Sequence, residues 1–239
     1  MKVSIITVCL NAEKTIKKTI KSVNIQYLKN YEHVFVDGDS KDNTVKIIKE
    51  FSKNPIIIQG KDKGLYDAMN KGVKIAKGEY ILFLNADDEL ISSNVLTSVN
   101  DYLYKNDLVY CNSRFYYPIK RTEKQIIRTA SLNKIKTGDM PQHQSCFVKK
   151  KWLEKYPFNL KWNIVADYDF FCNLFKHKIK IKYLNNDIAR VRIGGKSSNL
   201  KNTWFEQEQI IKEHFGYYYW FLMKTKHFIF ELIKKVIKC

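Results

Sequence analysis

The chain has 239 residues, of which 45% are hydrophobic and 14% aromatic, and 42 lysines and arginines stand against 24 aspartates and glutamates. This composition excludes a disordered chain and supplies enough apolar surface for one substantial α/β domain. The formal charge of +18 favours anionic partners, namely nucleic acid, an anionic membrane face or phosphorylated substrates. The basic residues are scattered through periodic segments, which argues against a nucleic-acid-binding tail.

Strand and helix patterns alternate four times in the first half of the chain. Apolar, β-branched runs predict strands at residues 3–8, 33–36, 56–58 and 80–84. Apolar residues at helical spacing predict helices at residues 13–27, 44–51 and 65–76. This alternation is typical of an α/β fold with a mainly parallel sheet and right-handed crossovers.

The second half shows helices mixed with shorter strands. Helices are predicted at residues 93–103 and 203–215, and another begins near residue 165. Strands are predicted at residues 108–111, 115–117, 125–130, 145–148, 181–184 and 188–191.

A last predicted helix, residues 217–238, is amphipathic. Its basic side holds Lys224, His227, Glu231, Lys234, Lys235 and Lys238, and its apolar side holds Leu222, Ile229, Leu232, Ile233 and Val236. No uncharged run approaches the length of about 18 residues that spans a bilayer. The composition suits the interfacial plane of an anionic membrane. The alternative is a helix packed on the domain or on a second subunit, which would make a homodimer.

The five cysteines show no metal-like or paired spacing. Cys9 and Cys146 lie in apolar, strand-like contexts, which is typical of free buried thiols in a reducing compartment. The strand pattern begins at Val3 with no signal-peptide region before it, so we expect a cytoplasmic protein.

Polar residues follow the predicted strands of the first half at the points where these strands end. They are Asn11, Asp37, Asp39, Asp62 and residues 85–88. The carboxyl ends of parallel strands meet at one edge, where open α/β sheets bind ligands. The glycine patterns of dinucleotide-binding folds and P-loops are both missing, so a nucleotide there would be held by carboxylates and a metal.

The most informative of these strand ends is the abrupt change from the apolar run at 80–84 to Asp87 and Asp88. Carboxylates are too costly to bury unpaired, so they should lie just past the strand. Two adjacent aspartates in a basic protein indicate a divalent cation and a phosphate-bearing ligand. The alternative is an acidic cap on the helix predicted after Ser92 and Ser93.

Four segments, residues 4–8, 36–44, 62–72 and 85–88, together resemble family 2 glycosyltransferases, and the resemblance covers roughly residues 3–215. It implies the GT-A fold in residues 1–215. A Rossmann-like nucleotide-binding half (1–105) with a mostly parallel central sheet would be joined to an acceptor-binding half (106–215), and residues 216–239 would form the basic amphipathic helix.

The resemblance also implies a nucleotide-sugar site. It assigns Asp37 or Asp39 to the ribose and base, and Asp62 to the uracil imide, which favours a UDP-sugar. The other residues that it places around the donor are Thr7, Lys63, Gly64, Asp67, Asn70, Asn85, Ala86, Arg192 and Lys196. For Asp37 and Asp39 an Asx turn is the alternative. Asp67 and Asn70 either hold the donor, fix nearby loops or lie on a solvated helix face.

The segment Asn85-Ala86-Asp87 stands where the family has its D-x-D motif, with Asn in place of the first Asp. The resemblance makes Asp87 the direct ligand of Mn²⁺ or Mg²⁺, with Asp88 reaching the ion directly or through water. Hard oxygen ligands suit either ion.

In the second half the resemblance implies an acceptor site. Asp167 falls where the family places its catalytic base, although Ala166 replaces the first Glu of the motif. Acidic capping of a helix is the alternative for this segment. His143, Gln144 and Asp169 are predicted to contact the acceptor, with a structural histidine or helix support as alternatives.

The sequence thus predicts a metal-dependent, inverting hexosyltransferase that moves a sugar from a UDP-sugar to a hydroxyl of a lipid-linked glycan. Its role would be the biosynthesis of a surface polysaccharide such as O-antigen or capsule. We expect it on the inner face of the cell membrane as a peripheral protein, without a nucleic-acid partner. The alternatives are a sugar nucleotidyltransferase and a non-enzymatic, basic nucleic-acid-binding module.

Overall fold

The computed structural model describes residues 3–116, 132–194 and 200–237. Within these ranges one mixed sheet of eight strands has the order β3-β2-β1-β4-β7-β6-β8-β5. The strands are β1 (Val3–Cys9), β2 (Tyr31–Asp37), β3 (Ile56–Gln59), β4 (Tyr80–Phe83), β5 (Glu89–Leu90), β6 (Leu108–Tyr116), β7 (Cys146–Lys149) and β8 (Ile181–Arg192). The helices are α1 (Ile16–Asn24), α2 (Thr44–Phe51), α3 (Leu65–Ile75), α4 (Val95–Leu103), α5 (Lys150–Lys155), α6 (Ala166–Phe175), α7 (Leu200–Phe215) and α8 (Tyr217–Ile237).

The first half forms the predicted parallel sheet. β1 pairs in parallel with β2 on one side and β4 on the other, and β3 extends the same parallel ladder beyond β2. All residues of β1 and β4 are buried, which explains why these strands are continuous apolar runs without alternation. The predicted α/β fold class is therefore confirmed.

The second half continues the same sheet. β7 is antiparallel to both β4 and β6, while β8 is parallel to β6. Residues 181–192 form one strand where the sequence predicts two, because the ladder with β6 shifts register at Asn112 and then resumes. The strand predicted at 125–130 lies outside the described residues.

The helix predicted at 13–27 is shorter in the structure, where it begins at Ile16. The amides of Ala12 and Glu13 bind the side chains of Thr44 and Asp42 at the start of α2. These contacts hold the segment before α1 as a turn, because its amides are used outside the helix.

Helices cover both faces of the sheet. On one face Ile6, Val36 and Phe83 pack with residues of α3 and α6. On the other face Leu82 and Ile188 pack with residues of α4. Burial on both faces fixes the strands and leaves their carboxyl ends as the place where polar loops collect.

The C-terminal helices α7 and α8 are separated by Gly216, which has a φ of +85°. One side of α8 packs on the domain, since Met223 and His227 are 3% and 8% exposed. His227 was predicted to lie on the polar side; that is wrong, because it bonds Glu208 (2.7 Å) and stacks on Trp204 of α7. Among the described residues we find no helix with the length and apolarity needed to cross a membrane.

Candidate active site

The loops after β1, β2 and β3 are joined at the carboxyl edge of the sheet. The amide of Gly38 donates to the carbonyl of Cys9 (2.9 Å), and the amide of Gly60 donates to the carbonyl of Asp37 (3.0 Å). A Cβ on Gly38 would lie 2.6 Å from Oδ2 of Asp62. The loop that carries Asp37 and Asp39 therefore lies directly against Asp62, as the order of the strands predicts.

Asp37 and Asp39 have different environments. Asp37 is fully buried, and its carboxylate accepts hydrogen bonds from the amide and hydroxyl of Ser40. This is the Asx turn that the sequence left open. Asp39 has a φ of +75° and pairs with Lys41 at 2.8 Å, which lowers the pKa of its carboxyl group. Asp39 is thus the more accessible of the two aspartates.

Residues 62–70 brace this edge through their own hydrogen bonds. Asp62 accepts from the amide of Gly64 (2.8 Å), whose φ is +116°. Asp67 accepts from the amide of Lys63 (2.9 Å). The amide group of Asn70 makes two bonds, of 2.8 and 2.9 Å, with the backbone of Phe158. Asp67 and Asn70 therefore fix loops, which is one of the three readings that the sequence left open.

Thr7 was predicted to contact the donor, but the structure places its side chain elsewhere. Thr7 is fully buried, and its hydroxyl lies 2.8 Å from Nε2 of His33 inside the sheet. Burial lowers the pKa of His33 to about 3, so this imidazole is neutral and the pair is structural. The Thr7 side chain is therefore not available to a ligand.

The acidic segment after β4 forms a tight turn, in which the amide of Asp88 donates to the carbonyl of Asn85 (3.0 Å). Ala86 is buried beneath it. The capping alternative for Asp87 and Asp88 is wrong, because α4 begins at Val95 with Asn94 as its N-cap.

The two aspartates of this turn also differ. Asp87 is exposed, while Asp88 is 2% exposed and accepts from the Arg192 amide (2.9 Å) and the Gln144 side chain (3.1 Å). Burial and the Asp87 charge raise the pKa of Asp88 to about 7. Desolvation also raises the pKa of Asp87, and the Arg192 charge opposes that shift.

Asp167 lies in the first turn of α6 and is 5% exposed. One carboxylate oxygen lies 3.0 Å from both the amide of Tyr168 and the hydroxyl of Tyr66, and the other lies 2.9 Å from Nδ1 of His143. The bond to Tyr168 shows that Asp167 also serves the start of its helix, as the capping alternative proposed.

The decisive feature is the pair His143-Gln144, which lies between the two acidic groups. His143 bonds Asp167, and the next residue, Gln144, bonds Asp88. Asp88 and Asp167 are 79 positions apart in the printed sequence, yet two consecutive residues connect them. The strand-end carboxylates and the second-half carboxylate therefore share one site.

Three buried polar atoms at this site have no hydrogen-bond partner within the described residues. They are Oδ1 of Asn85, Nε2 of His143 and Oε1 of Gln144. A buried polar atom without a partner costs free energy, and native proteins keep few of them. Their concentration between Asp88 and Asp167 is typical of a site that a polar ligand completes.

Asp169, predicted to contact the acceptor, is paired with a histidine of α7. It is 6% exposed, and one carboxylate oxygen lies 2.7 Å from Nε2 of His214 on α7. It therefore ties α6 to α7, which is the helix support that the sequence left open. Arg192 is exposed at the end of β8, whereas Lys196 lies outside the described residues.

Two residues outside the predicted site hold Asp167 and the loop before it in place. Tyr66 lies within the 62–72 segment, and its hydroxyl lies 2.8 Å from the carbonyl of Ile164 as well as 3.0 Å from Asp167. Glu206 on α7 accepts from the amides of Asn163, Ile164 and Val165 at 2.9–3.2 Å. The sequence carries no local signal for Glu206, since its partners lie more than 40 positions away.

A separate polar cleft of about 520 Å³ lies between α4 and the strands β6 and β8. Its lining includes Ser92, Asn112, Arg114, Asn185 and Asp187. It contains none of the predicted site residues, so its volume does not bear on the network around Asp167.

Comparison with known proteins gives a family and a fold. A family model described as glycosyl transferase family 2 matches residues 4–184. A PGL/p-HBAD biosynthesis glycosyltransferase of Mycobacterium tuberculosis is 30% identical over 205 residues, which cover 82% of this chain and 78% of that protein. A UDP-Glc:alpha-D-GlcNAc-diphosphoundecaprenol beta-1,3-glucosyltransferase of Escherichia coli is 27% identical over 220 residues, with 88% and 85% covered.

Two solved structures share the fold. S. aureus TarS 1-349 in complex with UDP aligns with a TM-score of 0.71 at 18% identity, covering 90% of this chain and 65% of that chain. The mannosyltransferase PcManGT from Pyrobaculum calidifontis, in complex with GDP-Man and Mn²⁺, aligns with a TM-score of 0.66 at 15% identity, covering 90% and 63%. This chain thus spans less than two thirds of either solved chain.

Proposed function

The chain belongs to glycosyl transferase family 2 and has the GT-A fold, and from this premise we propose that it transfers a sugar from a UDP-sugar to a hydroxyl of a lipid-linked glycan, with inversion at the anomeric carbon. The observation that carries the proposal is the His143-Gln144 bridge between Asp88 and Asp167. It brings the strand-end aspartates and Asp167 within one site, which supports a direct transfer between two substrates.

The donor half of the proposal is supported by the strand-end loops. Asp39 is accessible. Asp62 lies against Gly38 in the adjoining loop, and a side chain at position 38 would collide with the Asp62 carboxylate. The E. coli relative is named for UDP-Glc, and the TarS structure contains UDP. These features support a UDP-sugar as the donor, with Arg192 near the diphosphate.

The residues present also fit a divalent cation. Asp87 is an exposed carboxylate, and Oδ1 of Asn85 is a buried oxygen without a partner among the described residues. No group of three or more His, Cys, Asp or Glu in those ranges is arranged to hold a metal alone. Mn²⁺ or Mg²⁺ would therefore be held by Asp87 and Asn85 together with substrate phosphates, which is the usual coordination of Mg²⁺. When bound, the ion stabilises negative charge on the departing UDP.

In the proposed reaction the acceptor hydroxyl oxygen attacks the anomeric carbon while the bond from that carbon to the UDP oxygen breaks. The carboxylate of Asp167 takes the hydroxyl proton, and UDP leaves with the electron pair of the broken bond. Tyr66 and His143 hold the two oxygens of Asp167 in a fixed orientation before the acceptor arrives. One displacement inverts the configuration and needs no covalent enzyme intermediate.

The names of the relatives support the choice of acceptor. The E. coli relative acts on a GlcNAc-diphosphoundecaprenol, and the mycobacterial relative is named for PGL/p-HBAD biosynthesis. Both names fit a sugar acceptor carried on a lipid. We therefore place the enzyme on the inner face of the cell membrane as a peripheral protein, in the assembly of a surface polysaccharide such as O-antigen or capsule, or of a related glycolipid.

The proposal is tested by incubating the purified chain with a panel of UDP-sugars and a GlcNAc-diphosphate-lipid acceptor, with and without Mn²⁺. We expect UDP release and a lengthened glycan of inverted configuration for one donor. Asp167→Asn should lower turnover by about a thousandfold and keep UDP binding, because it removes only the base. Asp169→Asn is the matched control on the same helix and should keep turnover per folded molecule.

Two results would contradict the proposal. Turnover of Asp167→Asn at the wild-type rate would reject the base. Release of pyrophosphate from a sugar phosphate and UTP, without any transfer, would assign the site to a nucleotidyltransferase.

A further inference from the structure

The exposed face of α8 is mainly apolar, with Thr225 as a polar residue within it. Two adjacent rows run along the helix at spacings of four and seven residues, which place side chains on one face. One row is Tyr217, Phe221, Phe228 and Leu232, and the other is Tyr218, Leu222, Ile229 and Ile233. All eight side chains are between 41% and 70% exposed. We name these eight residues the α8 stripe.

The opposite side of α8 is fixed to the domain, so the α8 stripe is presented in a defined orientation. Met223 packs directly against Gly138, where a side chain would collide with the Met223 Cε. His227 is held by Glu208 and Trp204 of α7. The α8 stripe is therefore not the side by which this helix packs on its own domain. It is free to contact a partner outside the described part of the chain.

Lysines border the α8 stripe on both sides. Lys224 follows Tyr217 by seven positions and borders the first row, and Lys226 follows Leu222 by four positions and borders the second. Both lysines are exposed; Nζ of Lys224 lies 4.9 Å from the centre of the Trp220 ring, and Nζ of Lys226 donates to the carbonyl of Thr137 (3.1 Å). An apolar strip of Tyr, Phe, Leu and Ile with a lysine on each side is typical of a helix that lies in a membrane interface, where the cations reach the headgroups.

We propose that the α8 stripe docks on an anionic lipid bilayer, with its aromatic and aliphatic side chains in the headgroup and acyl boundary. Charge favours this occupant over a second copy of the chain. The chain has a formal charge of +18, so two copies repel each other, whereas anionic lipids attract both flanking lysines.

This inference adds to the proposed function a surface that would bring the enzyme to its lipid-linked acceptor. Lipid docking and catalysis use different parts of the structure, although they are close in the fold. Glu208 of α7 holds α8, and Glu206 of α7 holds the loop before Asp167. Docking at the α8 stripe therefore places the catalytic helix α6 two helices away from the bilayer.

The test is flotation of the full chain with vesicles of phosphatidylcholine alone or of phosphatidylcholine with phosphatidylglycerol. We expect binding to the anionic vesicles and weaker binding as salt is raised. Phe221→Gln with Phe228→Gln should lower the partition coefficient by about tenfold for each phenylalanine, because each is 64% exposed and would be buried in the bilayer. The matched control is Tyr27→Gln, which changes an aromatic residue that is 69% exposed after α1.

A second pair of variants tests the charge. Lys224→Glu with Lys226→Glu should lower binding to the anionic vesicles by about fivefold or more for each lysine. Lys18→Glu on α1 alters the charge by the same amount per residue and should bind as the wild type does. These variants keep the apolar stripe, so the test does not depend on the phenylalanine variants alone.

Three results would overturn the inference. The wild type could stay in solution beside anionic vesicles, or the stripe and lysine variants could float as well as their controls. Light scattering could also show a dimer that only the phenylalanine variants convert to monomer, which would assign the stripe to a second copy. Asp167→Asn should float like the wild type. Flotation of the wild type without any sugar transfer would reject the proposed function and keep the docking surface.

Discussion

Removal of the Glu206 carboxylate is the sharpest test of how the fold positions Asp167. Glu206 accepts three backbone hydrogen bonds from residues 163–165, and the hydroxyl of Tyr66 lies 2.8 Å from the carbonyl of Ile164. The loop is thus held from α7 on one side and from α3 on the other. Glu206→Ala removes the first of these contacts and leaves the second.

The size of the effect follows from the three bonds. A hydrogen bond to a charged group contributes about 1.5–3 kcal/mol, but water can replace part of it at a partly exposed loop. The carboxylate also faces the amino end of α6, which adds about 0.3–1 kcal/mol. We expect a net loss of about 2 kcal/mol, which lowers the Tm of a chain of this size by about 4–8 °C.

The assay compares stability, UDP affinity and turnover in one set of proteins. Glu206→Ala should lower kcat by about tenfold, because Asp167 loses its fixed position while the donor loops are untouched. UDP affinity, measured by calorimetry, should stay within about twofold of the wild type, since Glu206→Ala leaves the bond between Tyr66 and Ile164 in place. Glu206→Gln should recover part of the loss, because its amide oxygen accepts some of the same bonds.

Glu213→Ala is the matched control on α7, because Glu213 forms an exposed ion pair with Lys161. We expect it to change stability by at most about 0.5 kcal/mol and to leave kcat unchanged. A wild-type kcat in Glu206→Ala, or a loss of UDP binding as strong as the loss of turnover, would show that Glu206 does not position Asp167.

Three further predictions test the metal site, the buried histidine and the packing of the sheet. EDTA should abolish transfer by the wild type, and added Mn²⁺ should restore it, whereas Asp87→Ala should gain no activity from Mn²⁺. Equal recovery of the wild type and Asp87→Ala would show that Asp87 does not bind the metal. Burial lowers the pKa of His33 in the folded protein to about 3, so as the pH falls this histidine is protonated first in the unfolded state. The free energy of unfolding should therefore fall as pH drops below about 6.5, by at most about 1.4 kcal/mol per pH unit. Urea titrations should show a smaller slope with pH for His33→Gln, and an unchanged slope would contradict the assignment. Gly78→Ala should lower stability by about 2 kcal/mol in the same titrations, because its Cβ would lie 2.5 Å from the backbone nitrogen of Ser4, and wild-type stability would show that β1 can shift to make room.

The sequence determined the first half of the fold. Strands such as 3–8 and 80–84 are continuous apolar runs, and the helices between them repeat at helical spacing, so local pattern and final structure agree. The meeting of Asp37, Asp62 and Asp88 at one edge follows from parallel connectivity alone. The family resemblance, carried by the order of four short segments, is confirmed by the family match over residues 4–184.

Tertiary contacts decided what each of these side chains does. Asp37 and Asp39 look alike in the sequence, but only Asp37 is buried against Ser40. Asp87 and Asp88 are adjacent, yet only Asp88 is enclosed by Arg192 and Gln144. These partners come from distant parts of the chain, and no local pattern encodes a contact over such separations.

The helix α8 shows the same limit at the surface. Helical period determines which residues share a face, and it correctly grouped Leu222, Ile229, Leu232 and Ile233. It could not determine which face the domain would cover. The covered face proved to be the one that carries Met223 and His227. That choice depends on Glu208 and Trp204, which α7 brings to one side of α8. Period is a property of one segment, whereas burial is decided by what the rest of the chain packs against it.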